Sequence, residues 1–204
     1  MKRFIQVCIV VATCIALSTG VAFAGGSYSN RPGPFCAQMT SANEVPPTIS
    51  NTTGRAFVAV RFPTSQSTIP SSLDFKVSIS RGVGLAQMHL HCAPVGVRGP
   101  VVVFFAGRHD GGVNVPFGQW VRGNVDSQSI SSTGTGITAP VTCNDPTGQP
   151  TGAVIATISD LVEQIQAGNI YAEAHDRQFP TGVIRDQLQQ CRNFHDYNDD
   201  DDDD

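Results

Sequence analysis

The chain has 204 residues and a formal net charge of −4, with 40% hydrophobic and 15% charged residues. This composition is typical of a folded globular protein and excludes a long disordered chain. The negative charge is concentrated in the aspartate run of residues 199–204, and no basic cluster is present, so nucleic acid is not expected as a partner.

The N-terminus predicts a secretory signal peptide over residues 1–24. A short positive segment precedes an apolar run, and residues 22–24 (AFA) form an A-x-A cleavage pattern. The apolar run is too short and too interrupted for a membrane span, so no transmembrane anchor is expected. Lipid attachment at Cys14 is an alternative, but apolar residues continue beyond it. We expect cleavage after Ala24 and a secreted or periplasmic location.

Cleavage leaves four cysteines in the mature chain. An even number of cysteines in an exported protein predicts two disulfides, for which three connectivities exist. Cys36 and Cys191 bracket the domain, so we pair them, and this leaves Cys92 with Cys143.

The composition divides the mature chain into three parts. Residues 25–35 are rich in Gly, Pro and Ser and predict a linker. Residues 36–191 predict one β domain, and residues 192–204 predict an acidic, disordered tail.

Within the domain, alternating hydrophobicity predicts short β-strands. The clearest case is residues 73–80 (LDFKVSIS), where Leu73, Phe75, Val77 and Ile79 are expected to face the core. Further strands are expected within residues 55–62, 101–105, 153–158, 170–175 and 183–188. Residues 122–150 are rich in Ser, Thr and Gly and predict long loops with at most one weak strand.

One helix is predicted after residue 159. Asp160 is expected to cap it, with Glu163 completing a capping box, and Gly168 is expected to end it. Many short strands with a single short helix predict an all-β fold, a Greek-key β-sandwich or barrel stapled by two disulfides.

Three histidines fall on the predicted outward faces of strands. Around residue 90, His89 and His91 lie on the face opposite Met88, Leu90 and Cys92. Alternation in two later strands places His175 and Glu173, and then Arg185, on their outward faces as well. If these strands are neighbours, the three histidines gather on one surface, with Glu173 and Arg185 lining it.

Two interpretations of this cluster stay open. Histidines two residues apart on a strand have Cα atoms about 6.6 Å apart, and with a third imidazole they can bind Cu²⁺ or Zn²⁺. Alternatively, the histidines form hydrogen bonds with loop carbonyls and acidic side chains and serve only the fold. No sequence pattern assigns a catalytic residue.

Three segments resemble the CHRD (chordin-type) domain family. They are residues 43–47 (NEVPP) followed by Gly54, residues 88–103 (MHLHCAPVGVRGPVVV), and residues 168–188, which contain NIYAEAH and GVIRDQL. The chain departs from the residues that the family usually has at Arg98, Glu173, Asp176, Val183 and Asp186.

The resemblance implies an extracellular all-β domain without an established general activity. We therefore expect an exported binding or structural module whose partner is an unknown extracellular protein or surface ligand, and not an enzyme. The alternative is a small metalloprotein with copper or zinc at His89, His91 and His175, loosely similar to copper–zinc superoxide dismutase. Asn51 begins an N-T-T sequence, which is a glycosylation site if the source cell is eukaryotic.

Overall fold

A computed structural model describes residues 31–107, 110–130 and 140–191 of the chain. The predicted signal peptide (residues 1–24), most of the predicted linker and the predicted acidic tail (residues 192–204) lie outside these residues. Within the described ranges, no helix is long and apolar enough to cross a membrane.

The described residues form ten strands and one α-helix. In chain order these are β1 (Phe35–Thr40), β2 (Thr53–Arg61), β3 (Ser72–Cys92), β4 (Val101–Ala106), β5 (Val113–Asp126), β6 (Val141–Thr142), β7 (Val154–Ile155), α1 (Ile158–Gln166), β8 (Ile170–Asp176), β9 (Ile184–Gln187) and β10 (Gln189–Gln190). β1 begins at Phe35, so the folded domain includes the last residue of the predicted linker.

Five of the strands close into an antiparallel barrel. The order is β1, β2, β3, β8 and β9, and β9 returns to β1 where Thr40 pairs with Arg185. The small sheet of β6 and β7 lies outside this order. The prediction of an all-β fold with one short helix is thus confirmed, in its barrel form.

Strand β3 pairs with four other strands, more than any other strand of the described residues. It is 21 residues long; its first part pairs with β2 and β5, and its second part pairs with β8 and β4. The bend between the two parts lies at Arg81, which has a φ of 59°, and at a register shift between Gly82 and Leu85. The bend lets one strand contribute to the barrel along its length while it carries two further strands.

The barrel interior is filled as the alternation predicts. Leu73, Phe75, Val77 and Ile79 are buried, and the polar residues between them are half-buried. Burying one such side chain contributes about 1.5–3 kcal/mol, so the alternation alone is a strong constraint on which face points inward.

Strand β5 corrects the prediction of a loop from residue 122 onward, because β5 continues to Asp126. This part of the strand was not predicted because its alternating pattern is interrupted by Gly123. Gly123 pairs with Phe75 across the sheet, and a Cβ at Gly123 would lie 2.9 Å from the Phe75 ring. The glycine makes room for the aromatic ring and removes the side chain that would have continued the alternation.

The strand expected over residues 153–158 is limited to β7, because Ile158 already begins α1. The helix prediction needs one correction as well. The N-cap of α1 is Thr157, and Asp160 occupies the third helical position. The Thr157 side chain accepts a hydrogen bond from the Asp160 N–H, and the Asp160 carboxylate accepts one from the Thr157 N–H at 2.9 Å. This reciprocal pair is a capping box, so Asp160 supplies its second member instead of the cap. Gly168, with a φ of 78°, follows the helix end as predicted.

Two disulfides are present, and they join the cysteines that we paired from the sequence. Cys36 and Cys191 link the two ends of the domain, while Cys92 and Cys143 link the end of β3 to the segment after β6. Two disulfides indicate an oxidising, extracytoplasmic location.

Candidate functional site

Polar residues of three neighbouring strands lie on the outer face of the barrel. The register places His89 opposite Glu173, His91 opposite Tyr171, and Glu173 opposite Arg185. Residues directly opposite one another in antiparallel strands share a face. We call this set the polar layer, which consists of His89, His91, Tyr171, Glu173, His175, Arg185 and Gln187.

The polar layer is buried, although it faces away from the barrel interior. The exposed fractions of His89, His91 and His175 are 3%, 7% and 6%. The sequence predicted the correct face, but we expected the imidazoles to lie outside the interior. The difference arises because the segment that follows β3, together with Glu44, folds over this face and excludes water.

The main cover is the segment of residues 93–100, which we call the cover loop. Its backbone is held by the polar layer: the Gln187 side chain donates to the Ala93 carbonyl at 2.9 Å, and Arg185 donates to the Val97 carbonyl at 3.1 Å. The Tyr171 hydroxyl accepts a hydrogen bond from the Gly99 N–H at 3.0 Å. The side chains thus satisfy loop groups that would otherwise be buried without partners.

The three histidines are close enough to share a ligand. One ring nitrogen of each lies within 4.8 Å of the others, and Nδ1 of His89 is 3.2 Å from Nε2 of His175. Two nitrogens bound to one tetrahedral ion at about 2.0–2.1 Å are about 3.3 Å apart. The most widely separated pair of ring nitrogens would therefore have to move about 1.5 Å closer together to bind one ion, while the closest pair is already at a suitable distance.

Backbone carbonyls orient two of the three rings. Nδ1 of His91 is 3.0 Å from the Gly99 carbonyl, and Nδ1 of His175 is 3.2 Å from the Pro180 carbonyl. A carbonyl only accepts, so each Nδ1 carries the proton, and Nε2 of the neutral ring presents a lone pair. Histidines that bind metals almost always donate the other ring N–H to a carboxylate, a backbone carbonyl or water.

The Nε2 lone pair of His91 points toward Glu173, whereas that of His175 faces Nδ1 of His89 and has Glu173 farther away. Oε2 of Glu173 is 2.9 Å from Nε2 of His91 and 3.7 Å from Nε2 of His175. Nε2 of His91 nevertheless has no aligned hydrogen-bond partner, and neither has Nε2 of His89 or Oε1 of Glu173. Buried polar atoms without partners are costly, so this arrangement needs a proton or a cation among them.

The electrostatics keep two of the histidines neutral. Burial lowers the pKa of His89 to about 2, with the neighbouring histidines adding to the effect. Burial also lowers the pKa of His175. A neutral imidazole is the form that binds metal ions, so these rings do not have to lose a proton first.

A second carboxyl group, that of Glu44, meets Glu173 beneath the cover. Burial, followed by the charge of Glu173, raises the pKa of Glu44 to about 9. Burial alone would raise the pKa of Glu173 as well, but its contact with His91 outweighs this and lowers the pKa to about 2. The pair therefore holds one proton at neutral pH, on Glu44.

The two carboxyl groups meet at Gly182, which has a φ of 126°. A Cβ at Gly182 would lie 2.2 Å from Oε1 of Glu173 and 2.6 Å from Oε2 of Glu44. Only glycine fits between these oxygens and tolerates this backbone conformation.

Tyr171 lies between the histidines and Arg185. Its ring is stacked with that of His91 at a centroid distance of 5.0 Å, and the Arg185 guanidinium lies 3.6 Å from the ring centre. Burial raises the pKa of the Tyr171 hydroxyl to about 12. Tyr171 therefore stays neutral and acts as a rigid spacer in the polar layer.

The structure brings together the residues that we placed in one site from the sequence. His89, His91 and His175 form the cluster, with Glu173 in contact and Arg185 beside Tyr171. We did not predict Glu44 as a site residue, although it belongs to the NEVPP segment. Asn51 lies exposed just before β2.

Gly99 provides a test of the cover loop. A Cβ at this position would lie 2.1 Å from the Cys92 carbonyl oxygen, so Gly99→Ala forces the loop away from β3. We expect the free energy of unfolding to fall by about 1–3 kcal/mol, measured by urea denaturation. Gly107→Ala is the matched control, because a Cβ there meets no atom within 4 Å. Equal stability of the two variants would show that the loop is not tightly seated.

Comparison with known proteins gives one family match. The CHRD domain family matches residues 35–188. No curated protein and no solved structure matches the chain.

Proposed function

Because the chain belongs to the CHRD domain family, we propose that it is an exported binding module with a zinc or copper ion bound by His89, His91 and His175. The ion has a structural role in this proposal: it joins β3 to β8 beneath the cover loop. The outer surface then serves an extracellular protein or surface ligand.

Export is supported from two sides. The two disulfides indicate an oxidising compartment. The N-terminal sequence has the features of a cleaved signal peptide, so the proposed mature chain begins at Gly25 and is secreted or periplasmic.

The observation that carries the metal proposal is the orientation of His91 and His175. Each ring donates its Nδ1 proton to a backbone carbonyl and turns its Nε2 lone pair into the cluster, toward the Glu173 carboxylate for His91 and toward His89 for His175. A lone pair that faces a carboxylate, as in His91, is repulsive unless a proton or a metal ion lies between them. A divalent ion removes this repulsion, and Glu173 is then available as an oxygen ligand next to the three nitrogens.

Burial favours a structural ion over a redox centre. All three histidines are buried, and the cover loop is fastened over them by Gln187, Arg185 and Tyr171. Structural metal sites are closed by protein ligands, whereas catalytic sites keep a position open for the substrate. We therefore do not propose superoxide turnover, although the three-histidine cluster on a β-barrel loosely resembles that enzyme.

Metal titration tests the proposal. The full chain is expressed with its own leader, recovered with both disulfides formed, stripped with a chelator and titrated with Zn²⁺ and Cu²⁺ by calorimetry. We expect one saturable site at micromolar metal or tighter, and an increase in melting temperature on loading. His91→Ala removes a ligand, so its Kd should rise by more than the 10–100-fold that loss of an outer partner typically causes.

The matched control is His109→Ala, which removes a histidine that the proposed site does not include. It retains the acidic tail, so any weak binding by the aspartates is the same in all variants. The proposal fails if the wild-type chain shows no saturable site, or if a folded His91→Ala protein keeps the affinity of the wild type.

A further inference from the structure

Two surface clefts approach the polar layer from different directions. The first, of about 440 Å³, is lined by Ala86, Asp110, His175, Asp176, Arg177 and Pro180. The second, of about 470 Å³, is lined by Glu44, Phe179, Thr181 and Gly182 together with the residues between Val45 and Ile49. The first cleft contains one of the three clustered histidines in its wall, and the second contains none.

The position of His175 makes the first cleft a direct route. Its Nδ1 faces Pro180, which also lines the cleft, and its Nε2 faces His89 inside the cluster. An ion that leaves the cleft past this ring therefore arrives among the three nitrogens. On the other side, Glu44 and Glu173 separate the second cleft from the histidines.

Arg177 holds the outer wall of the first cleft in place. Its side chain donates to the Gly111 carbonyl at 3.2 Å, and its backbone N–H donates to the Gly84 carbonyl at 3.1 Å. These bonds join the residue after β8 to the turn before β5 and to the bend in β3. The Arg177 side chain is exposed and cationic, so it also opposes the approach of a cation, whereas the carboxylates of Asp110 and Asp176 favour it.

We propose that the cleft formed by Ala86, Asp110, His175 and Arg177 is the port through which a divalent metal ion reaches and leaves the histidine cluster, and that Arg177 narrows it. This inference rests on the proposed metal site. It goes further in assigning the path and the residue that limits the rate of exchange.

A port has a kinetic signature that a ligand does not. A change in the barrier between solvent and site alters association and dissociation by the same factor and leaves Kd unchanged. Ala86→Trp, which obstructs the cleft, is expected to slow both Zn²⁺ association and release by about 10-fold, within the range over which related association rates vary. Arg177→Ala, at an exposed position, is expected to accelerate both severalfold.

The experiment is stopped-flow exchange between the full chain and a fluorescent zinc chelator, with Kd measured separately by calorimetry. Thr181→Trp, which places the same side chain in the second cleft, is the matched control and should leave both rates unchanged. Slowing by Thr181→Trp alone would assign the route to the second cleft and overturn the inference. Unchanged rates in a folded Arg177→Ala protein would also overturn it. If the wild-type chain binds no zinc, the metal proposal itself fails, and the port with it.

Discussion

Replacing both Cys92 and Cys143 by serine is expected to lower the free energy of unfolding by about 4 kcal/mol, the value for a closed loop of this length. The bond joins residues 51 apart and follows His91 directly. Its loss frees the unfolded chain and also loosens the cover loop. The second effect arises because Asn144, next to Cys143, donates hydrogen bonds to the carbonyls of Cys92 and Arg98.

The other disulfide supplies the matched control. Cys36 and Cys191 join residues 155 apart, so their replacement is expected to reduce stability at least as much. It does not touch the cover loop, and metal affinity should be retained. The measurements are urea denaturation and zinc calorimetry under conditions in which both variants are folded. Equal loss of zinc affinity in the two variants would contradict the assignment of the Cys92–Cys143 bond to the site.

The metal-free protein is expected to be most stable near pH 6.5 and to lose stability on both sides. On the alkaline side, the loss of stability comes from Glu44. Burial and the charge of Glu173 raise the pKa of Glu44 from 4.5 to about 9. Between these values the folded state holds a proton that the unfolded chain has released. The free energy of unfolding therefore falls as the pH rises, by about 1.4 kcal/mol per unit for one proton.

On the acid side, the loss of stability comes mainly from the histidines. Burial lowers the pKa of His89 and of His175 below 6.5, so the unfolded chain binds protons there that the folded state does not. Their stabilising contribution is present above pH 6.5 and is lost as the pH falls. Below pH 6.5 the unfolded chain binds up to two protons on these histidines, and this outweighs the one extra proton that the folded state holds on Glu44. The free energy of unfolding therefore falls as the pH falls. Below pH 4.5 the lowered pKa of Glu173 in the folded state adds to this loss of stability.

Urea denaturation between pH 4 and pH 9, with a chelator present, measures this profile. Glu44→Gln is expected to remove the decline above pH 6.5, because the amide has no proton to lose. Glu163→Gln, at an exposed position of α1, should keep the wild-type profile. A decline that persists unchanged in Glu44→Gln would show that the carboxyl pair is not its source.

Local alternation was sufficient to predict four of the five barrel strands, all except β1, and the face of each histidine. A period of two decides which side chains share a face, and the burial of Leu73 through Ile79 follows from it. It could not predict that the opposite face is also buried. That depends on the cover loop, which turns back over the end of β3 and is held there by β8 and β9, and on Glu44, which comes from a distant part of the chain. A strand pattern contains no information about such coverage.

Two other differences concern the helix cap and strand β5. Thr157 and Asp160 are both good N-cap residues, and only the reciprocal hydrogen bonds decide that Thr157 occupies the cap. β5 was missed because Gly118 and Gly123 interrupt its apolar pattern, and the reason for Gly123 is the ring of Phe75 on another strand. In each case the deciding partner is visible only once the elements are assembled.

The bond between Cys36 and Cys191 holds the two ends of the domain next to each other. Their Cα atoms are 5.1 Å apart, so the polypeptide enters and leaves the barrel at a single point. A domain with adjoining ends can be inserted into a surface loop of a host protein, or joined end to end and reopened elsewhere, without disturbing its hydrogen-bonded ladder. The barrel is therefore suited to insertion into other proteins for display and fusion.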